Sequence, residues 1–451
     1  MRTSGNSRGP ARRTALASAA GIAAAALLAT GCSASDDTDS GSDTSSGGKI
    51  TLHVGTFGVF GFDNGKDSAK LYAAYEKAHP NIKIVEDHVT DGQKYWDTLK
   101  LRMSRNSGLA DIQAIEVGYI AEATGPTMAN KWEDLKKADS AHTGDFLDFK
   151  TKQAATSDGK VIGFGTDIGP MAVCYNKDLF KKAGLPTERD KVAKLWQGDW
   201  SKFLDVAADY KKKAPGKTVF TDSASGLFNA VLSSQPQQYS DDSGKLIYDK
   251  SPGVKTAWDL AVKAAQDGYT AKLRQFDEKG TWAAGFKNSK FATVACPSWM
   301  LGQIQSQAGA GNKGKWDVAL PPQNGNWGGS FLGVPASGKH VKEATELAAW
   351  LTSAAQQEKV FTAIGNIPSS KDGLASDTVK NAKIDFYGDA PIGQIYSTIA
   401  EGIKPAPIGA NDGQVKTFIT DNGVLDVEQR GTDPKKAWAN VEKLVDDKIE
   451  Q

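Results

Sequence analysis

Residues 50–116 begin with ITLHV (50–54) and run through the Gly- and Phe-rich stretch GTFGVFGF (55–62). SAKLYAAYEKAH (68–79), IKIV (82–85), KYWDTLKLRMSRN (94–106) and DIQAIE (111–116) follow. The first five residues alternate apolar and polar side chains, which is the period of a half-buried strand. Residues 68–79 place Leu71, Tyr72, Tyr75 and Ala78 at helical spacing, and Pro80 ends that helix. Residues 82–85 read as a second strand, 94–106 as an amphipathic helix and 111–116 as a third strand. Strand–helix–strand–helix–strand predicts a mainly parallel sheet covered by helices, so the fold class is α/β. Ligands of such sheets lie beyond the carboxyl ends of the strands. That rule gathers Phe57, Phe60, Glu116 and Tyr119 around one crevice edge, with Asp63 and Asn64 nearby.

Working outward, VIGFGTDIGP (161–170) leads into a strand at 171–175 and a helix that begins at 176–180. Further helices are expected over 254–267, 342–355 and 435–449, and further strands over 291–296, 316–320 and 331–335. No internal repeat is visible. The chain has 451 residues. Single cores stop growing at roughly 250–300 residues, so at least two domains are implied.

The N-terminus reads as an address. Arg2, Arg8, Arg12 and Arg13 precede an uncharged, Ala-rich stretch at 14–30, which ends at Gly31-Cys32. A basic stretch, a short apolar stretch and a small residue before a cut point make a secretory signal. The apolar run is short for a membrane span. Residues 33–48 are almost entirely Ser, Asp, Thr and Gly and cannot bury enough apolar surface to fold, so they read as a flexible tether. The whole chain has 54 basic and 53 acidic residues. Without the four arginines it has 50 against 53, a formal charge of −3. That balance excludes a basic nucleic-acid-binding surface. Five His and three Cys argue against a large metal centre.

Several of these stretches resemble known proteins. LLATGC (27–32) is similar to the lipobox of bacterial lipoproteins, with Leu28 one place earlier than usual. The resemblance implies that residues 1–31 are removed and that Cys32 is lipidated, anchoring the chain to the membrane through its tether at 32–48. The alternative is an ordinary secretory signal, with Cys32 lost. YNKDLFKKAGLP (175–186), FATVACPSW (291–299), WGGSFLGVPASGK (327–339) and residues 342–370 resemble the extracellular solute-binding proteins of ABC sugar importers, the group of maltose-binding protein. Within that group, VGTFGVFGF, TDIGPMAVCYNKDLF and ACPSW are most similar to actinobacterial cellobiose and cello-oligosaccharide binders.

The resemblance implies a two-lobed type II periplasmic-binding-protein-like fold with three interlobe crossings, near 166–170, 321–326 and 362–368. Lobe one would take 49–166 plus 326–364, and lobe two 167–324 plus 365–451. It implies no enzyme activity, no cofactor and no metal. The ligand would be a short oligosaccharide, cellobiose or a cello-oligosaccharide first, with another disaccharide such as xylobiose as the alternative. The partners would be ABC permease subunits and, through them, a separate cytoplasmic ATPase. The chain would be a monomer on the extracellular face of the membrane.

Sugar rings carry hydroxyls at the rim and C–H groups on their faces. Aromatic rings stack on those faces, and carboxylates and amides hold the hydroxyls. Trp299 follows the 291–296 strand, where the family often places a stacking aromatic. Trp327 and Gly328 stand at the second crossing, and Trp282 lies in GTWAAG (280–285). Tyr396 corresponds by order to a stacking aromatic on a late lobe-two helix. Asp167 at the first crossing, Glu116 at a strand end and Asn366 at the third crossing are the polar candidates. For each of these the alternative is a core or capping role. By family topology the strands of Cys174 and Cys296 are neighbours, which implies a disulfide in an oxidising compartment. A secreted glycosidase is the competing class and would need two carboxyl groups flanking the bond. A polymer-binding adhesin is a third. Beyond the expected signal segment, no GxSxG, HExxH or Walker loop is present.

Overall fold

The computed structural model describes residues 48–449 except 278. The expected signal at 1–31, the lipid-bearing Cys32 and all but the last residue of the 32–48 tether lie outside the described residues.

Strands β1 (Ile50–Phe57) and β2 (Ile82–Val89) run parallel, from Ile50 opposite Ile82 to Phe57 opposite Val89. β3 (Ile112–Glu116) lies parallel on the other side of β1. The connecting helices are Leu71–Ala78 and Gly92–Arg105. The first begins three residues later than expected because Lys70 takes a left-handed backbone, with φ of 54°. The second begins where the Asp91 side chain accepts a hydrogen bond from the Lys94 amide, which satisfies one of the helix's free amides.

The expectation of a mainly parallel sheet holds for these three strands and fails beyond them. β4 (Phe164–Gly165) and β9 (Ser330–Gly333) complete the first sheet, in the order β2-β1-β3-β9-β4, and β9 is antiparallel to both neighbours. A strand that returns from a distant part of the chain is under no βαβ crossover constraint, so its direction is free.

The second sheet has the order β6-β7-β5-β8, formed by β5 (Met171–Asn176), β6 (Val219–Thr221), β7 (Phe291–Pro297) and β8 (Trp316–Ala319). Only β6 and β7 pair in parallel. Every residue of β5 and β7 is buried, as expected of a sheet covered on both faces. Met171, Val173 and Tyr175 face one helical layer, and Ala172 and Cys174 face the other. On that second side a disulfide joins Cys174 to Cys296, across the paired strands β5 and β7. The expected 342–355 helix is two helices, Val341–Leu351 and Ala354–Ile364, parted at Thr352-Ser353.

The chain passes between the two sheets three times, and the three passages are hydrogen-bonded to one another. The Ile168 amide donates to Ile367 O at 3.0 Å, and the Trp327 amide to Gly169 O at 2.7 Å. The Gly169 amide donates to Asn326 Oδ1 at 2.9 Å. Gly169 is obligatory here, because a Cβ would sit 2.0 Å from Trp327 O. Gln357 Oε1 accepts from the Ser369 and Ser370 amides at 2.7 and 3.1 Å, tying the third passage to the helix that leads into it. Among the described residues, no helix is long and apolar enough to cross a membrane.

Candidate functional site

A cleft of about 810 Å³, open mouth included, lies between the end of β3 with the helices Val117–Thr124 and Asp148–Gln153 on one side and the helices Ala224–Ser233 and Asp412–Thr417 on the other, beside the second passage. Glu116, Gly118, Phe149 and Gln153 form one wall. Asn229, Gln238, Tyr239, Asp412 and Lys416 face them, and Asn326, Trp327 and Gly328 connect the two. Glu116 is the last residue of β3 and also caps the helix Val117–Thr124: its Oε2 accepts from the Gly118 amide at 2.9 Å. The capping and cleft-facing readings of this residue therefore coexist. Asp412 Oδ1 accepts from Ser240 Oγ at 2.6 Å and Oδ2 from the Gly409 amide at 2.9 Å. Burial raises its carboxyl to about 6, so it is mostly ionised at neutral pH.

Gly328 has a φ of 107°, and a Cβ there would come 2.7 Å from Trp299 Nε1. The glycine thus lets the Trp299 edge close on the passage, where Nε1 donates to Trp327 O at 2.8 Å. The two indoles meet edge to face, with centroids 6.0 Å apart. Both are partly exposed.

The other candidates sit elsewhere. Tyr119 stacks on Trp96 at 5.0 Å, and its hydroxyl donates to Gln93 Oε1 at 2.6 Å. It also touches the far wall, since a Cβ on Gly413 would meet its ring at 2.7 Å. Phe57 closes β1 and packs against Phe60 and Tyr95, at 5.2 and 5.5 Å. Phe60 is buried, and neither phenylalanine borders the cleft. Asn366 is buried in the third passage.

Three further candidates are buried away from this cleft. Asp167 lies beneath the cleft, where its Oδ1 accepts from Thr166 Oγ1 at 2.6 Å and from the Ser330 amide at 2.9 Å, pinning the first passage to β9. Trp282 is fully buried and donates through Nε1 to Asp222 at 2.7 Å. Tyr396 is fully buried, and its hydroxyl donates to Cys296 O at 2.8 Å. Each has its polar atom satisfied internally, as buried polar groups require.

Sequence reasoning missed Asn229, Gln238, Tyr239, Asp412 and Lys416. One signal was available: Asn229 interrupts the apolar run at 227–232 of the helix Ala224–Ser233. It also missed Lys150, on the helix Asp148–Gln153. This side chain is 1 % exposed, with Nζ 3.6 Å from the centre of the Phe331 ring. Burial lowers its ammonium to about 7, against the pull of the Asp167 and Glu116 carboxylates. Burial likewise raises Asp167, and Lys150 opposes that shift.

Two helix-covered sheets, joined by three passages beside a cleft of mixed polar and aromatic lining, define the two-lobed type II periplasmic-binding-protein fold. The sequence profile of the bacterial extracellular solute-binding proteins matches residues 70–385. A crystal structure of an extracellular solute-binding protein of family 1 is 36 % identical, with a TM-score of 0.76, over 88 % of this chain and 99 % of that one. The binding protein of an ABC transporter from B. animalis subsp. lactis, solved with β-1,6-galactobiose, is 20 % identical, with a TM-score of 0.73, over 88 % and 97 %. The arabinooligosaccharide-binding protein of Bacillus subtilis is 24 % identical over 440 residues, which is 91 % of this chain and 94 % of that protein. This chain belongs to the bacterial extracellular solute-binding proteins, non-enzymatic components of ABC transport systems.

Proposed function

We propose that this protein captures a short oligosaccharide between its lobes, taken as 49–166 plus 326–364 and 167–324 plus 365–451, and delivers it to ABC permease subunits. A separate cytoplasmic ATPase drives import. The observation that carries the reading is the cleft's lining. Trp327 offers an aromatic surface beside the small Gly328, while Glu116, Asn229, Gln238, Asn326 and Asp412 offer hydroxyl partners. Sugar contacting both walls would favour the closed arrangement of the lobes, which the permease would then recognise. The chain would act as a monomer, held outside the membrane by a lipid on Cys32.

Cellobiose and cello-oligosaccharides are the first choice of ligand, on the sequence stretches similar to actinobacterial binders. Arabinooligosaccharides are the second, favoured by the Bacillus subtilis relative. Calorimetric titration of residues 48–451 against cellobiose, xylobiose, maltose, chitobiose and α-1,5-arabinobiose tests the reading. Saturable binding of one sugar, recovered chemically unchanged, is expected. No heat with any of them, or a cleaved sugar, sinks it.

A further inference from the structure

Phe276 stands out on three counts. Its side chain is 48 % exposed. Its backbone has a φ of 59°, and among the described residues it is the only aromatic side chain at positive φ. Its ring lies 6.1 Å from that of Trp299, inclined by 35°, and 4.7 Å from that of Trp282. A bulky residue in the left-handed region is strained, and strain of this kind persists only where the surroundings over-determine it.

The surroundings do so here. Gln275 Nε2 donates to the buried Asp222 carboxylate at 2.7 Å, the same carboxylate that accepts from Trp282. Arg274 pairs with Asp421 at 2.8 Å. Asp277 accepts from the Thr281 and Trp282 amides at 2.9 and 2.8 Å, capping the helix Thr281–Lys287. The residues on both sides of Phe276 are anchored, and the phenyl ring between them is held outward. The ring rests on Trp282 on one side and leaves the residue about half in water on the other. Trp327 lines the cleft, the Trp299 ring lies 6.0 Å from it, and the Phe276 ring lies 6.1 Å from that of Trp299.

We propose that Phe276 is the outer platform of an extended sugar-binding surface, so that the protein favours oligosaccharides longer than the cleft alone can hold. This rests on the oligosaccharide reading above. A sugar unit beyond the cleft lays its C–H face on the phenyl ring and loses water with it, adding affinity that a disaccharide cannot reach.

The test compares cellotetraose with cellobiose by calorimetry, and arabinotetraose with arabinobiose in parallel, on the wild-type chain and on two variants. Phe276→Gly removes the ring and suits the positive φ, so it folds. It should lower the tetramer-to-dimer affinity ratio about tenfold, while Phe276→Tyr keeps the ratio. A Phe276→Gly chain that unfolds like wild type and keeps the ratio overturns this inference and leaves the oligosaccharide reading standing. A wild-type chain whose tetramers bind no tighter than its dimers also overturns the inference alone, and one that binds neither these four sugars nor xylobiose, maltose or chitobiose overturns both.

Discussion

The two halves of the molecule fill their interiors by different means. The second-sheet half is closed by aromatic packing and a covalent link. Trp282, Trp316 and Tyr396 are fully buried beside the Cys174–Cys296 bridge, and Tyr396 is hydrogen-bonded to Cys296 O. The first-sheet half buries a cation, where the second-sheet half buries carboxyls such as Asp222 and Glu428. Lys150 lies under the passages, with the Asp167 and Glu116 carboxylates as its electrostatic partners. The crosslinked aromatic core lies on the side that carries Trp299 and Phe276, and that side also buries the Asp222 and Glu428 carboxyls, both pushed up by burial. A buried ammonium beside two carboxylates makes the junction sensitive to proton binding. The difference places the crosslinked aromatic packing on one side of the cleft and the buried ammonium beneath the passages.

The strongest challenge to this contrast removes the bridge. Replacing Cys174 and Cys296 with Ala opens a crosslink between residues 122 apart in sequence. A loop of that size is expected to cost about 5 kcal/mol of unfolding free energy. Denaturant unfolding measures the loss, and amide exchange should quicken more in β5 and β7 than in β1. A variant within about 1 kcal/mol of wild type, or equal quickening in all three strands, would show that the second half owes nothing special to its crosslink.

A somewhat smaller effect probes the buried charge. The folded protein holds the Lys150 proton less tightly than the unfolded chain, at about 7 against 10.5. Between those values the unfolded chain binds the extra proton, so the Lys150 contribution to stability rises with pH. The charged and titratable groups facing it are Asp167 and Glu116. From pH 7 to 10, wild type should gain about 3 kcal/mol relative to Lys150→Met. Parallel stability curves for the two proteins over that range would remove the titratable element from the junction.

Local chemistry made part of this legible in the sequence. Alternation at 50–54 and the stop at Pro80 marked the first strands and helix, and the strand-end rule put Glu116 on a crevice edge that the cleft shares. β9 was beyond such reasoning, because its antiparallel place beside β3 depends on a partner more than two hundred residues away. The tryptophans could not be sorted for the same reason. Trp282 and Trp299 both stand in Gly- or Pro-containing stretches, and only the distant Asp222 and Trp327 decide which is buried and which borders the second passage. Lys150 carried no signal at all. A lysine between Phe149 and Thr151 reads as a solvated side chain until Phe331 and Gly329 close over it.

The smallest expected effect bears on the boundary between core and cleft. Tyr396→Phe deletes one hydroxyl that donates to Cys296 O at 2.8 Å, in a side chain with no exposed surface. The carbonyl left without that donor should cost about 1 kcal/mol of stability. Sugar affinity should stay within about twofold, since a change of 1.4 kcal/mol is what a tenfold shift would need and the hydroxyl meets no ligand. The opposite outcome, unchanged stability with weakened binding, would move Tyr396 out of the core and into the site. The aromatic half would then no longer be a rigid backing for its exposed rings, because one of its deepest side chains would be reaching the sugar.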